Sequence, residues 1–233
     1  MMDNILTVSG VSKYYGKKLA LDDLSFTLPP NQIAGLLGPN GSGKTTIIKL
    51  INTLITDYTG EITICGLKPG KESKRYVSYL PDRTFLREDL KIKTAVAMYA
   101  DFFADFDRVK AMEMIAACKL EAGMRIKALS KGMKEKLCLC LVMSRAARLY
   151  IFDEPIAGVD PAARDVILET ILKNFADGAS LLISTHLIGD VESILDRVLF
   201  IRDGRIVLDD MADTLRERRG ISIDRIFREG FKC

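Results

Sequence analysis

Apolar residues fall along this chain in runs of distinct rhythm. Near the start, Ile5-Leu6-Thr7-Val8 and Leu24-Ser25-Phe26-Thr27-Leu28 alternate as half-buried strands do. Ile33-Ala34-Gly35-Leu36-Leu37 is continuously apolar, as are Leu149-Tyr150-Ile151-Phe152 and Leu181-Leu182-Ile183-Ser184 until its last residue. Such runs mark strands covered on both faces. Gly60-Glu61-Ile62-Thr63-Ile64 suggests a second strand pair, and Tyr76-Val77-Ser78-Tyr79-Leu80, before Pro81, another strand. From about residue 88 to 125 the rhythm changes: Val96, Met98, Tyr99, Phe102, Phe103, Val109, Met112, Ile115 and Ala116 recur at helical spacing. Further helices are expected over about 130–145 and 164–175, with Gly178 as a stop. Val198-Leu199-Phe200-Ile201, the turn Asp203-Gly204 and Arg205-Ile206-Val207-Leu208 read as a β-hairpin.

These elements predict an α/β fold with a mainly parallel sheet, an N-terminal antiparallel β subdomain and an inserted α-helical subdomain. One domain over 1–233 is expected, with 1–84 and 146–233 forming the core and 85–145 the helical part. At 233 residues the chain is long enough for one substantial core.

Composition narrows this little. Hydrophobic residues make 48% and charged residues 28%, an ordinary globular balance. A net charge of +3 points to a mixed solvated surface and to no nucleic-acid partner. No apolar run reaches the roughly 20 residues that span a bilayer, and Met1-Met2-Asp3-Asn4 does not open a signal peptide. A cytoplasmic location is expected. Cys65, Cys118, Cys138, Cys140 and Cys233 form no Cys-x-x-Cys pair and lie far in sequence from the single histidine, so neither a zinc site nor a disulfide framework is expected.

The chemistry begins at Gly38-Pro39-Asn40-Gly41-Ser42-Gly43-Lys44-Thr45, which follows a buried strand and opens a helix. Backbone N–H groups of such a loop turn inward around phosphate oxygens, and the helix directs its positive end at the same anion. Lys44 reaches the β- and γ-phosphates, and the Thr45 hydroxyl binds magnesium. A P-loop NTPase core is therefore expected. Asp153 ends a buried strand, which in a parallel sheet sets it beside that loop to hold Mg2+; Glu154 follows, placed to polarise an attacking water. His186 sits past another buried strand, either a satisfied structural histidine or a γ-phosphate contact. Ser130 in Leu129-Ser130-Lys131-Gly132-Met133 reads as a helix N-cap, with Gly132 permitting close backbone approach.

With these motifs in this order, nearly the whole chain resembles the nucleotide-binding subunit of an ATP-binding-cassette (ABC) transporter. The family signature Leu-Ser-Gly-Gly-Gln stands here as Leu129-Ser130-Lys131-Gly132-Met133. The resemblance implies an ATPase that uses ATP and Mg2+. It implies that Tyr15 stacks on adenine, that Gly38 to Thr46 cradle the phosphates, and that Asp153 is the magnesium-side acid and Glu154 the catalytic base. It implies further that Asp160, in the loop Ile156-Ala157-Gly158-Val159-Asp160, couples two sites across a dimer and that His186 is the switch histidine. By the same resemblance Ser130 and Gly132 are expected to contact the γ-phosphate bound by an opposing subunit, either a second copy or a paralogue. The family's glutamine is Asp82 here, which is shorter and charged, and stands open between a metal-side ligand and a structural loop acid. A separately encoded transmembrane permease is the implied partner, docking on the helical insertion at the inner face of the cell membrane. The stretch around Asp82 and the tail at 222–229 resemble bacterial drug, peptide and antibiotic exporters, which implies export. A DNA- or ribosome-acting relative is the rival class, and a cassette that works a membrane complex without moving a solute is another.

Overall fold

In the computed structural model residues 4–230 are described, and the continuous apolar runs become the middle of a six-stranded sheet. β1 (Leu6–Tyr15) and β2 (Lys18–Leu28) form a long hairpin, and β3 (Ile33–Leu37) leads into α1 (Lys44–Ile51). β4 (Thr59–Ile64) and β5 (Val77–Leu80) precede α2 (Ile92–Phe102), α3 (Arg108–Ala117) and α4 (Lys131–Met143). β6 (Leu149–Asp153), α5 (Pro161–Asn174), β7 (Ser180–Thr185) and the single turn α6 (Ile188–Val191) follow. β8 (Arg197–Arg202), β9 (Arg205–Met211), α7 (Ala212–Arg219) and α8 (Ile223–Gly230) complete the chain.

The larger sheet runs β5-β6-β7-β3-β8-β9, parallel through β8 with β9 antiparallel at the edge; the smaller is antiparallel, β2-β1-β4. Successive residues of a strand point to opposite faces, and the two cores follow from that. Leu37, Tyr150, Phe152, Leu181, Ile183, Val198 and Phe200 pack on one side, in a cluster shared with α2, α3, α4 and α5. Ala34, Leu36, Leu149, Ile151, Leu182, Leu199 and Ile201 pack on the other, with α1 and the antiparallel sheet. That is why these runs show no polar alternation.

The expected fold class stands: a P-loop NTPase core with its antiparallel sheet and inserted helices. Both expected strands at 60–64 and 76–80 form, in different sheets: β4 adds to β1, and β5 joins β6 in the parallel sheet. Both are short, so neither carries enough pattern to declare its partner. The N-terminal strands are also longer than their alternating stretches, because β1 bulges at several positions and breaks the period-two rhythm. Cys233 and the first three residues lie outside the described part. Among the described residues no helix is long and apolar enough to cross a membrane.

Arg145 ties the helical segment to the sheet. Its buried guanidinium pairs with Asp105, donates to the carbonyls of Val77 and Arg75, and lies 4.1 Å from the Phe103 ring centroid. An enclosed guanidinium with all its partners present fixes α4 relative to β5 and sets the bearing of the α4 N-terminus.

Candidate functional site: a phosphate loop faced by two acids

β3 ends at Leu37, and the chain turns through Gly38–Gly43 before α1 begins at Lys44. Gly43 caps α1 at φ 113°, no side chain caps the helix, and its first turn holds no acid. The N–H groups of that turn are therefore not capped by a side chain or acid of the helix itself. Gly38 is forced by crowding: a Cβ there would lie 2.4 Å from the Ile201 carbonyl and 2.7 Å from Ser42 Oγ. The turn of the β8–β9 hairpin braces the loop from behind, with Gly204 N–H donating to the Ser42 carbonyl at 2.9 Å.

Lys44 is buried, and its Nζ donates to the carbonyls of Gly38 at 2.7 Å and Pro39 at 3.1 Å. The same ammonium lies 3.5 Å from Glu154 Oε1. Burial holds it below the usual lysine range, against the opposing pull of Glu154 and Asp153. Across the loop, Thr45 Oγ1 donates to Asp153 Oδ1 at 3.4 Å, and the Ser184 hydroxyl donates to that same oxygen. The other oxygen, Asp153 Oδ2, is buried with no hydrogen-bond partner. Burial pushes the Asp153 carboxyl above the usual range, Ser184 and Thr45 pull it back, and the charges of Asp82 and Glu154 push it up again. A fully buried carboxylate with an orphaned oxygen, beside a threonine hydroxyl, fits a hard divalent cation such as magnesium.

Glu154 stands directly after β6 with φ 52°, in the left-handed region that costs a side-chain-bearing residue about 1–2 kcal/mol. Strain of this kind gathers at functional sites. Its backbone N–H donates to the Ser184 carbonyl at 2.9 Å, and its Oε2 meets His186 Nδ1 at 3.0 Å. His186 is exposed.

Tyr15, Asn40, Gly41, Gly43, Lys44, Thr45, Thr46, Asp82 and Glu154 all line one cleft of about 350 Å³. The fold thus brings together Tyr15, the phosphate loop, Asp82 and the two acids. The Tyr15 ring is about half exposed, with Lys13 Nζ 5.2 Å from its centroid. Asp82 faces this cleft; its charge and that of Asp153 add to burial in raising the Tyr79 hydroxyl.

Ser130 and Gly132 lie apart from that cleft. Ser130 is the exposed N-cap of α4, its hydroxyl accepting from Met133 N–H at 3.3 Å, and the space beside Gly132 is open. Between them Lys131 extends back over Gly158 of its own chain. Asp160 sits exposed at the start of α5.

Ser184 escaped the sequence reading as a site residue. It ends an apolar run and reads as strand, and only the parallel register that sets it opposite Asp153 reveals its hydroxyl as a partner.

Residues 21–157 match the sequence profile of a family described as ABC transporter. Over 222 residues the chain is 31% identical to Nod factor export ATP-binding protein I of Rhizobium johnstonii, spanning 92% of this chain and 71% of that protein. It is 32% identical over 216 residues to the protein of the same name from Burkholderia orbicola, spanning 89% and 71%. A solved structure of the ATP-binding subunit of an ABC transporter superposes with a TM-score of 0.87 at 28% identity, covering 98% of this chain and 100% of that one.

Proposed function

The chain belongs to the ABC transporter family, and on that premise we propose that it is the ATPase subunit of an exporter, hydrolysing ATP to power a separate membrane permease. The observation that carries the reading is Glu154 held between Lys44 and His186 while Asp153 faces Thr45. Of these residues Lys44, Thr45 and Glu154 line one cleft together with the phosphate loop.

ATP enters with its phosphates against the Gly38–Thr46 loop and its base against Tyr15. Lys44 exchanges its carbonyl and Glu154 contacts for phosphate oxygens and neutralises charge there. Glu154 orients the attacking water and accepts its proton, and His186 holds the carboxylate in place through Nδ1. Thr45, Asp153 and Asp82 are the residues that would hold Mg2+, which when bound neutralises charge on the phosphates. Asp82 adds a negative charge on that side.

Completion of the site calls for a partner. Ser130 and Gly132 are exposed or open and sit away from their own cleft, as suits residues that meet the nucleotide of a second copy or paralogue. Asp160 then lies at the seam between the two subunits. We assign residues 1–84 and 146–233 to the catalytic core with its β subdomain, and 85–145 to a helical subdomain. Phe85, Leu86 and Leu90 before α2, with Met98, Tyr99 and Phe102 on it, line an apolar groove of about 310 Å³, with Phe102 76% exposed. An apolar groove of this kind suits a helix of the permease. The subunit works from the cytoplasmic, inner face of the cell membrane, without nucleic acid. Export is the direction carried by the names of its curated relatives.

The deciding experiment is purification from membranes. Recovery with a polytopic membrane protein and ATPase activity that rises in that complex supports the reading; recovery only with ribosomes or DNA overturns it.

A further inference from the structure

Cys118 and Cys140 come from different helices and meet. Cys118 closes the C-terminus of α3, and Cys140 lies deep in α4, with the two Sγ atoms 3.8 Å apart. Cys140 is buried, whereas Cys118 is partly open to solvent. Their surroundings are sulfur-rich: the Ser144 hydroxyl donates to Met114 Sδ at 3.8 Å in the same helix–helix seam. No role in the nucleotide cleft draws on either thiol, and the pair is brought together only by the packing of α3 on α4.

We propose that Cys118 and Cys140 are a reversible modification site, which peroxide converts to an intramolecular disulfide that staples α3 to α4. Cys118 is the attacking thiol because it alone of the two is accessible, and the Cys140 hydrogen bond together with the charge of Lys136 favours its thiolate against the effect of burial. The Cys118 sulfur attacks one oxygen of hydrogen peroxide. The O–O bond breaks, hydroxide leaves and takes up a proton, and Cys118 becomes a sulfenic acid. The Cys140 sulfur then attacks the Cys118 sulfur, the S–S bond forms and the S–O bond breaks, and the departing hydroxide takes the Cys140 proton as water. Two thiols and one peroxide give one disulfide and two waters, with two electrons passing from sulfur to oxygen. The remaining approach, from 3.8 Å to the roughly 2.05 Å of an S–S bond, is within reach of a side-chain rotation at the half-exposed end of α3.

The location gives the staple its consequence. Cys140 lies eight residues beyond Gly132 on one helix, about 12 Å along the axis. A bond at that point restrains the helix whose first turn carries Ser130 and Gly132, without touching the phosphate loop.

The test uses the full chain treated with hydrogen peroxide and then denatured for thiol counting. The count is expected to fall by two from the chain's five cysteines, the intact mass to drop by about 2 Da as two hydrogens leave, and dithiothreitol to restore both. Under non-reducing conditions the tryptic peptides 111–119 and 137–145 should be joined. Because the second peptide also contains Cys138, Cys138→Ser must keep the link, while Cys118→Ser and Cys140→Ser must abolish it. An unchanged thiol count overturns the proposal, as does a gain of about 32 Da on Cys118 with Cys140 still free. A link that persists in Cys140→Ser overturns it too, by assigning the bond to Cys138.

Discussion

His186 Nδ1 lies 3.0 Å from Glu154 Oε2, while the other oxygen of that carboxylate lies 3.5 Å from Lys44 Nζ. The carboxylate is thus held at both ends. Glu154→Gln keeps the size and shape of the side chain and one of its two acceptor oxygens but removes the base. Hydrolysis is expected to slow by about 10²–10⁴-fold with ATP affinity retained, measured as phosphate release beside equilibrium nucleotide binding. Turnover at the wild-type rate would remove Glu154 from its role.

His186→Ala leaves the base but loosens it. A small displacement of a catalytic group costs on the order of 10²-fold, so phosphate release should fall by about that factor while nucleotide binding stays near wild type. A variant that loses binding instead would make His186 a ligand contact and not a positioning one.

Lys44 makes the opposite case, because it contacts the site of the phosphates and not the water. Truncation to alanine removes charged hydrogen bonds worth about 1.5–3 kcal/mol, so ATP should bind on the order of 10²-fold more weakly. Calorimetric titration of the isolated chain reads this directly.

The buried Asp153 carboxylate sets a pH dependence. Its folded-state pKa lies above the ordinary value, so the folded chain holds more proton than the unfolded one between the two values. Stability from this group therefore falls as pH rises through that window. Without nucleotide or magnesium, Asp153→Asn should melt above wild type near pH 7.5, and the gap should narrow as pH falls towards 5. A gap that widens on acidification contradicts the assignment.

Two glycines should part company. Gly38→Ala drives a methyl group into the Ile201 carbonyl and Ser42, so it should cost roughly 1–3 kcal/mol of stability. Gly132→Asp has open space beside it and should fold normally. On a Glu154→Gln background it should instead prevent the ATP-dependent doubling of mass seen by light scattering. Unimpaired dimerisation there would sink the shared-site reading.

Much of this was legible in the sequence, for reasons particular to each element. Continuous apolar runs marked β3, β6 and β7 because helices or a second sheet cover both faces, and the glycine loop declared itself between strand and helix. What stayed hidden depended on register. Ser184 becomes a partner of Asp153 only when β6 and β7 lie side by side. The separate destinations of β4 and β5 depend on which edge each can reach. The short helix α7 has few apolar residues to betray it, since only Ala212 and Leu215 are buried.

The brace behind the phosphate loop has a consequence for how the chain is made. Gly204 supports Ser42 through its N–H, and the Ile201 carbonyl crowds Gly38, so the loop rests on residues some 160 positions later. At ribosomal speeds of about 5–20 residues per second, roughly 8–30 s separate synthesis of the loop from synthesis of its support. A nascent chain can pair β1 with β2 early, but β3 waits for β7 and β8, and the phosphate seat waits for Ile201 and Gly204. Nucleotide capture therefore waits for Gly204, and a ribosome stalled before that residue displays a loop that has not yet learned its shape.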